Sequence, residues 1–168
     1  HRVRIIEDAG GDGIHELTVT EPRTGTVRWR SETRCASAVG ADATWLVRSV
    51  CDDSGTVEVV DLENRRGRQV TVTAPEHGEP DYVWSFGDNL FAVVYGVPEL
   101  GDPVRVSVVD AAQAREIDHF ETVLNQFTWA ENGRIAWSTN PGSTKIDPQV
   151  MIRDVHAQTT TTVTVPES

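Results

Sequence analysis

The sequence predicts an all-β domain built from repeated four-stranded antiparallel sheets, and three observations support this fold class. Short segments that alternate between apolar and polar residues occur throughout the chain, as in Gln69–Thr73, and such alternation is typical of half-buried strands. No segment shows the sustained period of about 3.6 residues that an amphipathic helix requires. Similar segments also recur at an interval of 45 residues, which lies in the range typical of repeat architectures.

The repeat is visible in three sets of positions. Apolar residues that precede a polar turn are 45 residues apart (84 − 39 and 129 − 84): Val39, Trp84 and Trp129. The apolar runs that follow these turns have the same spacing: Trp45, Leu90 and Ile135. Further along, three alternating strands each end on an aspartate: Asp61, Asp110 and Asp154. The shared position of the two tryptophans predicts that they pack between sheets.

The repeat divides the chain into a partial first unit and three complete ones: 1–31, 32–75, 76–123 and 124–168. Each complete unit should contain four strands joined by hairpins. In the third unit, for example, strands are predicted at Tyr82–Phe86, Leu90–Tyr95, Val104–Asp110 and Arg115–Thr122. The first unit should lack its first strand, because Val3–Ile6 falls where the later units have their second strand.

Four hairpin-connected strands per unit describe the blade of a propeller. The pairs Trp84-Ser85 and Trp129-Ala130 before the first turn, the aspartate-ended third strands and Gly67 after a loop resemble β-propellers of the WD-repeat-like or TolB-like kind. The chain departs from the WD pattern proper, since it has no Gly-His dipeptide and no Trp-Asp pair. The resemblance implies a β-propeller or a propeller fragment of nearly four blades. The ring is then either a small closed one, or an arc completed by other blades or by a second copy, which would make about eight blades.

Charge and hydropathy exclude two classes of partner. The formal net charge is −11, with 26 acidic and 15 basic residues, and this charge repels nucleic-acid backbones. No apolar stretch reaches the length of a membrane-spanning helix, so membrane insertion of this chain is not expected. The chain does not begin with Met, and we expect a processed piece with any signal peptide or anchor upstream.

The two cysteines predict an oxidising compartment. If residues 35–39 and 44–51 form a hairpin around a turn at 40–43, Cys35 and Cys51 face each other at a distance that a disulfide can span. A disulfide favours an extracytoplasmic location, either secreted or on a membrane-anchored protein. Two unrelated buried thiols are the alternative, and the single pair lacks the spacing that zinc needs.

No motif for catalysis, metal or cofactor binding is present. The segment 8–13 lacks the acidic spacing of a calcium loop, and the five histidines are not paired at ligand spacing. There is no Gly-x-Ser-x-Gly elbow and no phosphate-binding loop that opens a helix. We therefore expect no enzymatic activity, no metal and no cofactor.

The candidate binding residues lie in the loops that join second to third strands. These loops carry five acidic residues: Asp52, Asp53, Glu99, Asp102 and Asp147. Trp29, between two arginines, is a further candidate. The expected function is a non-catalytic extracytoplasmic module for a protein or carbohydrate partner. The alternatives are the propeller portion of a larger hydrolase or lyase, or a structural subunit that completes a ring as a homodimer. A single lysine, Lys145, and abundant Ala, Val, Gly and Thr suggest a GC-rich genome such as that of an actinobacterium.

Overall fold

The computed structural model describes residues 2–7, 15–20, 23–33, 35–40, 44–50, 55–73, 80–86, 89–96, 103–124, 126–139 and 149–164. Every structural statement below concerns these residues. They form fifteen strands and no helix, which confirms the all-β prediction. In these ranges there is accordingly no helix with the length and apolar character needed to cross a bilayer.

The strands form four antiparallel sheets, and each sheet consists of strands that are consecutive in the chain. Sheet 1 contains β1 (Arg2–Glu7), β2 (His15–Thr20) and β3 (Val27–Thr33). Sheet 2 contains β4 (Ser37–Val39), β5 (Trp45–Ser49), β6 (Thr56–Asp61) and β7 (Arg66–Thr71). Sheet 3 contains β8 (Tyr82–Phe86), β9 (Leu90–Tyr95), β10 (Pro103–Asp110) and β11 (Arg115–Val123). Sheet 4 contains β12 (Gln126–Glu131), β13 (Arg134–Thr139), β14 (Gln149–Asp154) and β15 (Thr159–Thr164). The prediction of four-stranded antiparallel units is confirmed.

Sheet 3 is packed on both faces. In β9 the side chains of Phe91 and Val93 join the valines of sheet 2, whereas those of Ala92 and Val94 join sheet 4. All four are completely buried. A strand covered on both faces needs apolar residues at consecutive positions, which explains the continuous apolar run Leu90–Tyr95.

The core therefore consists of layers between sheets. The layer between sheets 2 and 3 is rich in valine: Val47, Val57, Val59, Val70, Val72, Val83, Phe91, Val93, Tyr95 and Val109. The layer between sheets 3 and 4 is rich in aromatic residues, which include Trp84, Phe86, Phe120, Phe127 and Trp137. A third cluster of Leu46, Val60 and Leu62 covers the other face of sheet 2.

Strand pairing shows that two residues predicted to be equivalent, Val39 and Ile135, are each one position out of register. Trp84 and Trp129 are equivalent, because they pair with Ala92 and Ala136, each the third residue of a second strand. The equivalent residue of sheet 2 is Ala38, which pairs with Val47, and not Val39. Similarly, the first residues of the second strands, each opposite the closing aspartate, are Trp45, Leu90 and Arg134. Ile135 is therefore one residue out of register, because the hairpins differ in length.

The hairpin that carries Cys35 also has a register different from the predicted one. Ala38 pairs with Val47, and the N–H of Gly40 donates to the carbonyl of Trp45 over 2.9 Å. Paired residue numbers thus sum to 85 rather than 86, so one residue fewer than expected separates Val39 from its partner, Leu46. Cys35 is not a free thiol. Cys51 lies outside the described residues, so the Cys35–Cys51 disulfide stays a prediction.

Candidate functional site

The predicted acidic loop residues lie outside the described residues: Asp52, Asp53, Glu99, Asp102 and Asp147. The structure describes the strand ends that flank these loops, at Val50 and Gly55, Gly96 and Pro103, and Thr139 and Gln149. Trp29 lies in β3 opposite Val19, but its side chain is outside the described part of the chain. Whether these six residues form one site remains a prediction.

One of these flanking ends is held by a carboxylate. The side chain of Asp81, just before β8, accepts a hydrogen bond of 2.7 Å from the N–H of Gly96. Gly96 has a φ of 98°, in the left-handed region that glycine tolerates best. The N–H of Asp81 in turn donates to the carbonyl of Val94 over 2.9 Å. These bonds fix the backbone of sheet 3 at the residue that precedes the acidic loop 97–102.

The aspartates that end the third strands have a local structural role at the opposite edge. Oδ1 of Asp61 accepts hydrogen bonds from the N–H groups of Glu63 (3.0 Å) and Asn64 (2.9 Å). Its Oδ2 accepts one from the Asn64 side chain over 2.8 Å. Burial raises the pKa of Asp61, but these hydrogen bonds and the charge of Arg66 outweigh it and hold the pKa below its ordinary value. Asp61 is therefore a turn residue, and the hydrogen bonds of the turn contribute to its lowered pKa.

The same turn recurs in sheets 3 and 4. Oδ1 of Asp110 accepts from the N–H of Gln113 over 3.0 Å, and Oδ1 of Asp154 accepts from those of His156 and Ala157. The Ala157 bond is the largest factor that lowers the pKa of Asp154. Four residues after each aspartate the backbone is left-handed, at φ values of 55°, 49° and 56°: Arg65, Ala114 and Gln158. In each turn the residue after the aspartate is buried and donates its N–H to the preceding hairpin: Leu62 to Thr44, Ala111 to Asn89 and Val155 to Gly133.

A buried ion pair joins sheets 3 and 4. The Arg153 guanidinium binds both oxygens of Asp118, at 2.5 Å and 2.7 Å, and the two side chains are only 12% and 1% exposed. Arg153 also donates to the Thr160 hydroxyl over 3.0 Å and lies 4.7 Å from the centroid of the Phe120 ring. The guanidinium thus makes three hydrogen bonds, of which the two to the carboxylate join oppositely charged groups and are therefore strong.

A bulge in β11 makes this ion pair possible. Val108 pairs with Asp118 but Val109 pairs with Glu116, so Ile117 is an extra residue. Without it, residues 116 and 118 would point to the same face of the sheet. With it, Asp118 faces sheet 4, whereas Glu116 accepts two hydrogen bonds from Thr73 of the chain that follows β7. Sequence alternation gave no sign of this bulge.

Among the residues that the structure describes, the Tyr95 hydroxyl is a buried polar group without a hydrogen-bond partner. Tyr95 is 2% exposed, and its hydroxyl makes no hydrogen bond. Burial, with a contribution from the negative charge of Glu116, raises the pKa of Tyr95 to about 12. It lies in the apolar layer between sheets 2 and 3, next to Gly96.

The outward face of sheet 4, the one away from sheet 3, carries a cavity of about 330 Å³. Five residues line it: Arg134, Ile152, Asp154, Thr159 and Thr161. Nε of Arg134 lies 3.8 Å from Asp154, and Val163 on the same face is 43% exposed. No group of three or more His, Cys, Asp or Glu side chains could hold a metal ion in the part of the chain that the structure describes.

Comparison with solved structures identifies the fold. No protein-family model matches this chain, and no curated protein matches it. A solved structure of the β-propeller domain of the Trilobed protease from Pyrococcus furiosus, which has an open velcro topology, is similar over 89% of this chain, with a TM-score of 0.59 and 11% identity. The fold is that of a β-propeller or a propeller fragment. The chain spans half the length of that structure's chain. An identity this low shows the fold alone, so a WD-repeat-like or TolB-like kind stays a prediction.

Proposed function

We propose that this chain is a non-catalytic propeller module that binds a protein or carbohydrate partner outside the cytoplasm. The observation that supports this best is that two of the described surfaces already make internal contacts. Both faces of sheet 3 are buried between sheets, and the edge with the aspartate turns is occupied by internal hydrogen bonds. The opposite edge, where second strands end and third strands begin, is the surface that we assign to this partner.

That edge brings the predicted acidic loops together by topology. In a sheet of consecutive antiparallel strands, the second-to-third connections leave from the edge opposite the third-to-fourth hairpins. The aspartate turns are third-to-fourth hairpins, so the loops 51–54, 97–102 and 140–148 belong to the opposite edge. Their carboxylates favour a basic or neutral partner, and the association should weaken as salt screens the charges.

An extracytoplasmic location is supported by the cysteines. Cys35 is not a free thiol, and the chain has a single other cysteine, Cys51. A disulfide between them would persist in an oxidising compartment and not in the cytosol. Mass measurement with and without reductant, after alkylation, tests the pairing: two alkylated thiols before reduction would refute it.

The binding proposal is tested by neutralising the loop carboxylates. The variant carries Asn at 52, 53, 102 and 147 and Gln at 99, and the probes are an oligosaccharide array and an immobilised arginine-rich peptide. We expect wild-type binding to at least one probe, with an affinity at least about tenfold higher than that of the variant, because several charge contacts are lost together.

The matched control is Glu63→Gln, which removes an exposed carboxylate from the opposite edge. Its binding should equal that of the wild type. Equal binding by the five-residue variant, or an equal loss in Glu63→Gln, would refute the role of the loops.

A second function is favoured by the comparison with known structures. The similar propeller domain belongs to a protein named as a protease, and this chain spans half of that structure. The alternative proposal is that the chain is the propeller portion of a larger hydrolase or lyase. Casein hydrolysis by the full-length gene product, but not by this chain alone, would support it, and inactivity of both would remove the protease form of this alternative.

A further inference from the structure

We propose that the outward face of sheet 4 docks a second copy of this chain, so that two copies together build one propeller ring. This surface is separate from the acidic loops and does not depend on the function proposed for them. It is defined by Arg134, Ala136, Val150, Ile152, Thr161 and Val163.

The outward face repeats the surfaces that are buried elsewhere in the molecule. The register places one apolar cross-strand pair at the same position of three sheets: Val57–Val70, Val106–Phe120 and Val150–Val163. In sheets 2 and 3 this position is covered by the next sheet, and Val57 and Val106 are completely buried. In sheet 4 the equivalent pair is less buried: Val150 is partly exposed, and Val163 is 43% exposed.

The neighbouring positions are also apolar in all three sheets. Val59 and Val108, both buried, correspond to Ile152, which is the third residue counted back from the closing aspartate. Val47 and Ala92 correspond to Ala136. The outward face of sheet 4 thus keeps apolar residues at the four positions that form the interfaces between sheets 2 and 3 and between sheets 3 and 4. An exposed apolar face of this kind indicates a docking surface.

Arg134 distinguishes this face from the two internal ones. It stands where sheets 2 and 3 have Trp45 and Leu90, and it borders the cavity of about 330 Å³ with Asp154. Its side chain is 61% exposed, and its Nε lies 3.8 Å from Asp154. The occupant should therefore be a sheet with a carboxylate at its rim, and a chain with 26 acidic residues provides this chemistry.

The number of sheets favours a second copy as the occupant. Among the described residues, no strand of sheet 1 packs extensively against sheet 4. The similar propeller structure is about twice as long as this chain. Two copies arranged head to tail give eight sheets, at the upper end of the usual range of about four to eight blades, whereas three would exceed it.

Light scattering coupled to size exclusion tests the proposal on this chain. The expected mass is twice 18.5 kDa at high concentration. The net charge of −11 on each copy opposes association, so the dimer should strengthen with added salt, opposite to the loop-mediated binding. A monomer at all concentrations and salt levels would overturn the proposal and assign the face to blades of another chain or segment.

Two variants locate the interface. Val163→Asp and Ile152→Asp should raise the dissociation constant at least about tenfold, because each places a charge in an apolar contact. Thr71→Asp adds the same charge to the exposed outer strand of sheet 2 and should leave the dimer unchanged. Circular dichroism verifies folding, and Val163, being half exposed, should tolerate the change. A Val163→Asp variant that is folded and still dimeric with unchanged affinity would overturn the assignment of the face.

Discussion

The layer between sheets 2 and 3 and the layer between sheets 3 and 4 solve the same packing problem with different residues. The first is mostly valine and contains Tyr95, whose buried hydroxyl has no partner. The second contains stacked Phe120 and Trp137 rings, with centroids 5.1 Å apart, and the Asp118–Arg153 ion pair. There the indole N–H of Trp137 donates to the Thr122 hydroxyl over 3.0 Å. Equivalent layers of the repeat therefore tolerate different chemistry, including a buried hydroxyl without a partner in the first layer.

The largest effect should come from breaking the ion pair. Asp118→Ala leaves the Arg153 charge buried without its partner, which we expect to lower the free energy of unfolding by about 3–5 kcal/mol in urea denaturation. Replacing both residues by apolar ones, Asp118→Leu with Arg153→Met, should cost much less. The control is Glu58→Ala in the Arg48–Glu58 pair, whose side chains are more exposed, at 26% and 27%, and it should cost at most about 1 kcal/mol. Equal losses for the two single variants would contradict the comparison.

A smaller, pH-dependent effect should come from Tyr95 in the first layer. Its pKa in the folded protein, about 12, is above the ordinary value of 10.0, so the unfolded chain loses the proton first. Its contribution is thus fully present below pH 10 and is lost as the pH rises towards 12, by on the order of 2 kcal/mol.

Tyr95→Phe should remove this alkaline loss and, at pH 7, leave stability unchanged or raise it by up to about 1 kcal/mol, since no hydrogen bond is broken. Tyr82→Phe is the control, because Tyr82 is 42% exposed. Thermal unfolding at pH 7 and at pH 10.5 measures both effects. An alkaline loss that persists in Tyr95→Phe but not in Tyr82→Phe would contradict the assignment.

The smallest effect should distinguish the aspartate turns of sheets 3 and 4. Ala114 has a φ of 49°, so Ala114→Gly should stabilise the protein by about 0.5–1 kcal/mol. Gln158 is also left-handed, but its side chain donates to the carbonyl of Ile117 over 3.3 Å, and Gln158→Gly should gain less. Ala112→Gly, at an exposed turn position without positive φ, should lose stability. Thermal melts compare the three, and a gain in Ala112→Gly equal to that in Ala114→Gly would refute the strain argument.

The sequence predicted the strands best where both faces or one whole face are buried. The bounds of β8 and β9 match the predicted ones, because apolar positions and flanking turn residues mark them. The predicted start of β7, Gln69, lies three residues after the observed start. Arg66, Gly67 and Arg68 are exposed, so this part of the strand shows no apolar alternation. The register of the Cys35 hairpin was wrong by one residue, because composition does not reveal the length of a turn.

The candidate site was less predictable than the fold. The three aspartates were recognised as a repeated feature, but their role in the turns depends on backbone N–H groups that carry no sequence signal. Asp118 and Arg153 lie in different repeats, and only the bulge at Ile117 orients them towards each other. The acidic loop residues remain a prediction, since they lie outside the described residues.

The bulge at Ile117 has a consequence for how sheet 3 is connected to sheets 2 and 4. A single additional residue determines that two carboxylates two positions apart serve different neighbours, Thr73 on one side and Arg153 on the other. Without that residue, the side chains at positions 116 and 118 would point to the same face of the sheet, and one of the two neighbours would lose its carboxylate partner. Which neighbour each carboxylate reaches therefore depends on the number of residues in β11, and not only on their chemical identity.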